Sequence, residues 1–466
     1  MIRPWPALFA LLLPVACDHA HAAHDAPSAR AAASAVPARQ ADAPPPARYV
    51  DPPHHRARLA HPRSVLLLTV DALRADMPWV GYPRPIAPNL TKLAKQSVVY
   101  THAYALSSYT SMSLGGLMAG RYPSELPRDG HTTSRFYDDA TFLAEVLHEA
   151  GARTLGVQGH VWFAGDTGIQ QGFDVWRVIP YITAKPAREG AVTDDQLSKM
   201  MIAALDRNAK KHPEKRFFAW VHFMDPHFKY VHHKGYPRFS GSAYKPGAHV
   251  VPPGVRLDEV GQDRRNLYDG ELAFTDAQIG KLVAHVRKSP WGRNTAIVIT
   301  ADHGEAFGEH PSYFEHGFRL YDVTTRVPLM FDIPGVKPAR IDTRRSHIDL
   351  ARTLLDLEGV KADPHMRGTS LVPELLGARP PQRDVVIDLP YTDQTPRRRA
   401  LIHGDDKIIV SQGNPKLELF DLARDPGEQH DLRNSNESLL TDMQRRWHTA
   451  DAALPDYPAP HRTHVY

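Results

Sequence analysis

Uninterrupted apolar runs alternate with segments of helical periodicity from Ser64 onward. The runs are typical of strands buried on both faces of a parallel sheet: SVLLLTVD (64–71), RTLGVQGH (153–160), RFFAWVHFMDPH (216–227) and TAIVITADHG (295–304). The segments between them place apolar residues at helical spacing: APNLTKLAKQ (87–96), ATFLAEVLHEAG (140–151), DDQLSKMMIAALDRNAKK (194–211) and NLYDGELAFTDAQIGKLVAHVRKS (266–289). This alternation predicts an α/β fold with a large, mostly parallel central sheet flanked by helices.

The pattern changes after residue 340. SHIDLARTLLDLEG (346–359) predicts one more helix, and a last helix is expected from Ser438 to Ala450. Between them lie short strand-like segments at 384–389, 399–404 and 406–412. Short strands that are close in sequence favour an antiparallel sheet. We therefore predict a catalytic α/β domain over residues 63–340 and a C-terminal subdomain with a small antiparallel sheet over residues 341–466.

The N-terminal segment MIRPWPALFALLLPVACDHA has the features of a signal peptide. Its apolar stretch, residues 7–16, is too short to span a bilayer comfortably. Cys17 follows Ala16 as the lipid-bearing cysteine does in bacterial lipoproteins, and the alternative is ordinary cleavage after Ala22. We expect residues 1–22 to be a signal peptide, with a lipoprotein signal ending at Ala16 as one form of it, and the Pro-, Ala- and His-rich residues 23–62 to be a disordered tether.

Charge and composition limit the partners and the compartment. The chain has 466 residues, with 56 Lys and Arg against 52 Asp and Glu, a net charge of +4 and one cysteine. No run of like charges suggests a nucleic-acid-binding arm, so no nucleic-acid partner is predicted. A single cysteine excludes an internal disulfide and a cysteine-based metal site. We expect the protein to be exported. It is then either periplasmic or anchored to a membrane by a lipidated Cys17, with the folded part facing the periplasm.

Acidic residues and histidines occupy the ends of all four predicted strands of the α/β domain. In open α/β sheets, ligands bind beyond the carboxyl ends of the strands, where these side chains would meet. Carboxylates and neutral imidazoles are ligands for a divalent cation, with Zn or Mn favoured and Ca as an alternative. The strand ends carry Asp71, His160, His222, Asp225, His227, Asp302 and His303.

A hydroxyl-rich stretch, SSYTSMSLGGLMAGRYP (107–123), offers Thr110 as a nucleophile. Thr110 lies at the start of a predicted helix, whose N-terminus favours an alkoxide and an anionic ester. A bound cation would also make its hydroxyl easier to deprotonate. The alternative role of Thr110 is a helix N-cap, which is a frequent use of threonine.

Six motifs follow one another in the order found in sulfatases: LLLTVDALRAD, the segment ending in GLMAGRYP, HFMDPHFKY, TADHGEAFGEH, EHGFRLYDVTTRVPLM and LELFDLARDPGEQHDL. From Ser64 to the C-terminus the chain therefore resembles the sulfatase family of the alkaline phosphatase superfamily. The resemblance implies a metal-dependent hydrolase of sulfuric or phosphoric esters. It also implies the family fold, a large α/β domain with a mixed central sheet and a small C-terminal domain around a short antiparallel sheet.

The nucleophile segment departs from the family signature C/S-x-P-x-R, in which the Cys or Ser is oxidised to formylglycine. Thr110 stands at the nucleophile position, Met112 replaces the proline and Leu114 replaces the arginine. Ala72 stands where the family usually has a second acidic metal ligand. The site resembles the threonine-nucleophile branch, which includes phosphoglycerol and phosphoethanolamine transferases. That branch implies four metal ligands: Asp71, Thr110, Asp302 and His303.

The resemblance also implies roles for three histidines. His160 takes the place of a substrate-binding histidine, with Gln158 where a lysine is expected nearby. His227 should contact the leaving-group oxygen or the transferred group, and it is therefore both a substrate-binding and a catalytic residue. His316 takes a place that sulfatases often give to a lysine, and it could be the general acid. Asp225 could serve a second metal, or alternatively form a turn.

The sequence favours an exported hydrolase that cleaves a phosphate or sulfate ester of a small molecule, lipid or glycan through Thr110. Phosphoryl esters, including phosphodiesters, are favoured because threonine lacks the second hydroxyl with which formylglycine expels sulfate. One alternative is a phosphoglycerol- or phosphoethanolamine-type transferase, in which an acceptor alcohol replaces water. Another is a catalytically inactive binding protein that keeps the fold, which the replacement of the arginine and of the second acid favours.

Overall fold

The computed structural model describes residues 61, 63–179, 193–243, 255–379, 382–412 and 417–457. The predicted signal peptide, Cys17 and almost all of the predicted tether lie outside these residues. Within the described ranges, no helix combines the length and the apolar character that crossing a membrane requires.

Strands and helices alternate through the first part of the chain, and strands dominate the last part. The strands are β1 (Ser64–Val70), β2 (Val98–Tyr104), β3 (Arg153–Gln158), β4 (Val175–Val178), β5 (Phe217–Phe223), β6 (Thr295–Ala301), β7 (Ala306–Phe307), β8 (Phe314–Glu315), β9 (Arg326–Asp332), β10 (Ala339–Ile341), β11 (Arg345–Ser346), β12 (Val385–Leu389), β13 (Arg398–His403), β14 (Asp406–Ser411) and β15 (Leu417–Asp421). The helices are α1 (Pro88–Ala94), α2 (Thr110–Ala119), α3 (Leu143–Glu149), α4 (Asp194–Lys211), α5 (Glu259–Lys288), α6 (Asp322–Thr325), α7 (Leu350–Glu358), α8 (Val372–Leu375) and α9 (Glu437–Ala452).

Nine strands of the described residues form the central sheet, in the order β10-β2-β9-β6-β1-β5-β3-β4, with β11 also paired to β2. All neighbouring pairs are parallel except those of β9, which runs antiparallel to both β2 and β6. This arrangement confirms the predicted α/β class with a mostly parallel sheet. Strand β1 lies between β5 and β6, so the residues that follow these three strands reach the same edge of the sheet.

Helices cover both faces of the sheet because its inner strands are apolar on both faces. All seven residues of β1 are buried, with Leu66 and Leu68 in one hydrophobic cluster and Val65 and Leu67 in another. The first cluster includes residues of α1, α4 and α5, and the second includes residues of α2, α3 and α7. The continuous apolar run that predicted β1 therefore reflects burial between two helical layers.

Strands β2 and β9 are absent from the sequence-based prediction for physical reasons. In β2, the register with β9 shifts between Tyr100 and Ala103, and this shift interrupts the alternation that marks a strand. Strand β9 contains Pro328, which argues against a central strand in a sequence pattern. Here the carbonyl of Pro328 accepts a hydrogen bond of 2.7 Å from Thr300 Oγ1.

The C-terminal part contains the predicted antiparallel sheet, in the order β12-β13-β14-β15. One face of this sheet packs on α9, with Leu401 and Met443 in the shared cluster. Ile387 and Ala400 lie in a cluster on the other face with Tyr321. Strand β11 pairs with β2 of the central sheet, and helix α7 packs on that sheet, although both follow residue 341. The domain limits of 63–340 and 341–466 stay predictions.

Candidate active site

The candidate site lies at the carboxyl edge of the central sheet. Asp71 follows β1 directly, and Asp302 and His303 follow β6 directly. Because β1 and β6 are parallel neighbours, with Val70 opposite Ala301, these three side chains come together across more than 200 residues of sequence. Thr110, the first residue of α2, joins them.

Asp71, Asp302 and His303 form a buried cluster whose ligand atoms lie within 4.8 Å of one another. His303 Nε2 lies 3.2 Å from Asp302 Oδ2 and 3.6 Å from Asp71 Oδ1. Thr110 Oγ1 lies 3.0 Å from the same nitrogen. Among the described residues, Asp71 Oδ1 and Asp302 Oδ2 have no hydrogen-bond partner. Buried carboxylate oxygens without partners are costly, and a divalent cation would satisfy both.

Hydrogen bonds orient each of these ligands through its other polar atom. His303 Nδ1 lies 2.9 Å from the carbonyl of Gly304, to which it must donate, so Nε2 of the neutral ring carries a lone pair. Asp302 Oδ1 accepts the backbone N–H groups of Ala72 at 3.2 Å and of His303 at 2.9 Å. The free atoms are therefore held toward one another, as in preformed metal sites.

His222 is a satisfied buried histidine that also orients Asp71. Its Nε2 donates to Asp71 Oδ2 at 3.2 Å, and its Nδ1 lies 2.8 Å from Thr69 Oγ1. Thr69 Oγ1 in turn accepts the indole N–H of Trp220 at 2.9 Å. The sequence favours a satisfied strand histidine at this position, but its orienting contact with Asp71 comes only from the structure.

The electrostatics of the cluster favour a cation. Burial raises the pKa of Asp302 well above its usual range, and the charge of Asp71 adds to this. Burial also acts to raise the pKa of Asp71, but the neighbouring imidazoles outweigh it and hold that pKa well below its usual range. Burial, helped by His316, lowers the pKa of His303 to about 3, so its ring is neutral near pH 7. Neutral imidazole is the form that binds a metal.

Thr110 lies at the start of α2, with its hydroxyl next to the cluster. The N-cap of α2 is Tyr109, with extended backbone, and Thr110 is the first helical residue. Its hydroxyl lies against His303, and the first N–H groups of the helix are left for an anion. The neighbouring hydroxyls of Ser111 and Ser113 are committed elsewhere, to the carbonyls of Thr132 and Asp302.

Three further histidines lie beside His303 in successive ring contacts, and two of them, His160 and His227, each have a ring nitrogen within 4.8 Å of a carboxylate oxygen of Asp71. The ring of His316 stacks on that of His303, with centroids 4.1 Å apart. His227 follows at 4.9 Å from His316, and His160 at 5.9 Å from His227. The structure therefore brings together His160, His227 and His316 beside the cluster.

Fixed partners give these three imidazoles different hydrogen-bonding roles. His160 Nδ1 accepts the backbone N–H of Trp162 at 3.0 Å, so its Nε2 carries the hydrogen and can only donate. His227 Nδ1 donates to the carbonyl of Phe228 at 2.5 Å, and His316 Nδ1 lies 3.2 Å from Glu305 Oε1. In the neutral ring of His227, Nε2 therefore carries a lone pair that can accept a proton. Nε2 of neutral His316 does the same when Glu305 is ionised and accepts from Nδ1.

Glu305 is a site residue that the sequence reasoning missed. It is fully buried, and Tyr230 donates to its Oε2 at 3.2 Å. Burial raises the pKa of Glu305 to about 7, whereas burial and the charge of His227 lower the pKa of His316 to about 3. Its position two residues after His303, in TADHGE, is the signal that could have identified it.

Ala72, where the family usually has a second acid, has a structural role of its own. Its φ of 56° lies in the left-handed region that a residue with a Cβ seldom adopts. The backbone N–H of Ala72 donates to Asp302, and its carbonyl accepts the hydroxyl of Tyr268 at 3.0 Å. Strained backbone of this kind is concentrated at functional sites.

Asp225 lies apart from the cluster. It accepts the backbone N–H and the hydroxyl of Thr193 at 2.8 and 2.7 Å, just before α4. Asp225, His233 and Glu271 also have ligand atoms within 4.8 Å of one another, but His233 and Glu271 are hydrogen bonded to each other. These contacts give Asp225 a structural role at the start of α4.

Comparison with protein families places the site in a known context. The family described as Sulfatase matches residues 63–360, and the family described as N-sulphoglucosamine sulphohydrolase, C-terminal, matches residues 308–451. The first match contains Asp71, Thr110, Asp302 and His303.

Individual proteins show the same likeness at low identity. A choline-sulfatase of Rhizobium meliloti is 25% identical over 443 residues, covering 79% of this chain and 82% of that protein. An ulvan-active sulfatase of Formosa agariphila is 25% identical over 432 residues, covering 85% of this chain and 82% of that protein. In fold, the phosphonate monoester hydrolase of Agrobacterium radiobacter is similar with a TM-score of 0.69 at 19% identity, covering 84% of this chain and 96% of that chain.

Proposed function

We propose, on the premise that this chain belongs to the sulfatase family, that it hydrolyses a sulfuric or phosphoric ester with Thr110 as the nucleophile. The family match confirms the resemblance found in the sequence and makes the protein a metal-dependent ester hydrolase. The contact that carries the proposal is the 3.0 Å distance between Thr110 Oγ1 and His303 Nε2, next to two buried carboxylates.

A divalent cation fits the buried cluster, since two carboxylate oxygens there lack hydrogen-bond partners among the described residues. The residues that would hold it are Asp71, Thr110, Asp302 and His303. When bound, such a cation supplies Lewis-acid stabilisation of the charge on the attacking oxygen and on the ester. Two carboxylates, one imidazole and one hydroxyl support Zn or Mn, with Ca as the alternative.

The first step transfers the oxyanion group to Thr110. Its Oγ forms a bond to the sulfur or phosphorus of the ester, and the bond from that atom to the alcohol oxygen breaks. His316 Nε2 takes up the hydroxyl proton of Thr110 and gives it to the departing alcohol oxygen, with His227 as the alternative donor. Burial lowers the pKa of His316, so its ring is neutral at first, and it becomes an acid once it has taken up the proton.

The second step restores Thr110. Water attacks the sulfur or phosphorus of the threonine ester, and the bond to Thr110 Oγ breaks as sulfate or phosphate leaves. One hydrogen of the water passes to His316 and from there to Thr110 Oγ. His160, whose Nε2 carries a hydrogen, donates to an oxygen of the ester during both steps.

Phosphoryl esters, including diesters and phosphonates, are the favoured substrates. A sulfated threonine has to be hydrolysed at sulfur, because it has no second hydroxyl to eliminate sulfate. In a phosphorylated threonine, water attacks the phosphorus and displaces the threonine oxygen. The fold neighbour described as a phosphonate monoester hydrolase supports this choice. The relatives described as choline-sulfatase and ulvan-active sulfatase support the sulfate alternative, on a small-molecule or glycan ester.

A panel of aryl phosphate monoesters, phosphate diesters, phosphonates and sulfates, assayed side by side with added Zn, Mn or Ca, tests this proposal. We expect turnover of at least one phosphoryl ester and a higher kcat/KM for it than for the sulfate. A clear preference for the sulfate would contradict the phosphoryl assignment. Metal and oxyanion binding without turnover of any ester would favour the inactive binding protein instead.

We further propose that the protein is exported and lipidated at Cys17, on the basis of the apolar segment that precedes this residue. The wild type should partition into the detergent phase of a detergent extraction, and Cys17→Ser should stay in the aqueous phase. Ser34→Ala, in the predicted tether, is the matched control and should behave like the wild type. Identical partitioning of all three proteins would reject lipidation.

A further inference from the structure

A second cavity, of about 130 Å³, lies away from the candidate active site. It is enclosed by β11, the segment that leads into α7, residues 367–369 and the start of β12. Four arginines line it, together with three hydroxyl side chains and two carboxylates, those of Asp349 and Asp384. The arginines are Arg344, Arg345, Arg367 and Arg383.

Two of these arginines present buried N–H groups without an acceptor. Arg345 is 1% exposed; its Nε donates to Glu374 at 2.8 Å and its Nη1 to the carbonyl of Arg344 at 2.7 Å. Its Nη2 has no acceptor in the described part of the chain. Arg344 is 9% exposed, and its Nη1 donates to Asp405 at 2.7 Å. Its Nε likewise lacks an acceptor among the residues described. Buried donors of this kind are normally paired, so an acceptor is expected here.

The carboxylates that line the cavity are already engaged. Arg383 holds Asp349 with two hydrogen bonds of 2.9 and 2.8 Å, and the backbone N–H of Thr369 donates to the same side chain at 2.8 Å. Asp384 Oδ1 lies 2.6 Å from His403 Nδ1. None of these contacts involves Arg344 Nε or Arg345 Nη2.

We propose that this cavity binds a tetrahedral oxyanion, a sulfate or phosphate group. Guanidinium groups match the oxygens of such anions, which accept several N–H groups at once. The cavity lining also includes the hydroxyls of Tyr122, Ser346 and Thr369, which can donate to the remaining oxygens.

The cavity is separate from the candidate active site but connected to it by α2. Thr110 begins this ten-residue helix, and Gly120, directly after its end, accepts the backbone N–H of Arg367 from the cavity lining. A helix of this length spans about 15 Å. The bound group is therefore a free oxyanion, and its binding does not depend on the proposed reaction.

Selenate, a sulfate analogue that scatters anomalously, tests the site directly in crystals of the wild-type protein. We expect an anomalous peak in the cavity beside Arg344 and Arg345. Arg344→Gln should remove the peak and weaken binding of sulfate, measured by calorimetry at constant ionic strength, by roughly tenfold or more. Arg340→Gln is the matched control, because it removes the same charge from a side chain that is 56% exposed and outside the cavity.

A second variant keeps the test informative if Arg344→Gln does not fold. Thr369→Glu places a carboxylate at the cavity wall without removing an ion pair, and it should also abolish the peak. No peak in the wild type, or equal sulfate affinity in the wild type, Arg344→Gln and Thr369→Glu, would overturn the proposal.

Discussion

Thr110 Oγ1 and His303 Nε2 lie 3.0 Å apart although 193 residues separate them in the sequence. The contact joins the start of α2 to the end of β6 and places the hydroxyl beside the carboxylates of Asp71 and Asp302. A hydroxyl at a helix N-terminus is common, but one that faces an imidazole and two buried carboxylates is consistent with the proposed role of Thr110 as a nucleophile.

Replacing Asp302 should remove the metal. Asp302 contributes one of the two carboxylates that the cluster offers, and its loss leaves one carboxylate and one imidazole. Metal content after dialysis, measured by mass spectrometry, should be close to one divalent ion per chain in the wild type and near zero in Asp302→Ala. Asp263→Ala removes an exposed acid from α5 and serves as the control. Equal metal content in Asp302→Ala and the wild type would contradict the assignment.

His222→Gln should lower the affinity for the metal without removing a metal ligand. Glutamine can still donate to Asp71 Oδ2, but its flexible side chain holds the hydrogen bond of 3.2 Å less firmly than the imidazole does. Loss of such an orienting contact typically lowers metal affinity roughly 10- to 100-fold. Competition with a fluorescent chelator measures this affinity. An unchanged affinity, with the fold intact by circular dichroism, would show that His222 is only a packing residue.

Substitutions of His316 and His160 should change different kinetic constants, kcat for His316 and KM for His160. His316→Gln removes the imidazole that moves the proton and should lower kcat by roughly 10²- to 10⁴-fold. His160→Ala removes a donor to the ester oxygens and should mainly raise KM if that contact is equally strong before and during the reaction. His365→Gln, at a side chain that is 69% exposed, controls for the loss of an imidazole. The same effect of both site variants on kcat and KM would reject the separate roles.

Glu358 should make the fold less stable as pH rises. It is fully buried at the end of α7, and its carboxylate oxygens have no hydrogen-bond partner in the described ranges, with Arg216 Nε 3.9 Å away. Burial raises the pKa of Glu358 from 4.5 to about 8, against a partial opposing effect of Arg216. The folded protein therefore holds a proton that the unfolded chain releases. The stability from this proton is fully present below pH 4.5 and is lost as pH rises toward 8.

The melting temperature at about pH 5 and about pH 8 measures this effect. Glu358→Gln stays neutral at both values, so its melting temperature should fall less than that of the wild type. The melting temperature of Glu149→Gln, a substitution at an exposed position of α3, should fall as much as that of the wild type. A parallel fall in all three proteins would show that Glu358 does not bind the proton.

The parts of the site that the sequence predicts are those tied to strand ends. Asp71 and the Asp302–His303 pair could be recognised because each interrupts an apolar run, and the parallel order of the strands then brings them together. His222 and Glu305 could not be assigned in this way. His222 lies within an apolar run and looks like any strand histidine. The buried environment of Glu305 depends on Tyr230, 75 residues away, and on His316, which no strand pattern links to it.

Elements of the fold, too, are predicted only where their own sequence carries the signal. Strands β1, β5 and β6 are predicted well because burial on both faces makes them continuously apolar. Strand β9 is missed because its proline argues against a central strand. Its antiparallel direction is also set by its pairing with β2 and β6, which a sequence pattern does not contain. The hydrogen-bonding roles of His160 and His316 also depend on the contacts of each Nδ1, which spacing along the chain does not reveal.

The central claim is that Thr110 is the nucleophile, and the activity of Thr110→Ala beside Thr110→Ser tests it most directly. With the best aryl ester and metal saturating, Thr110→Ala should lose roughly 10⁴- to 10⁶-fold in kcat while keeping its metal, and Thr110→Ser should keep measurable activity. Acid quenching of the wild type during turnover should also trap a phosphoryl or sulfuryl group on the peptide that contains Thr110. Full activity in Thr110→Ala, or a trapped group on another residue, would contradict the account.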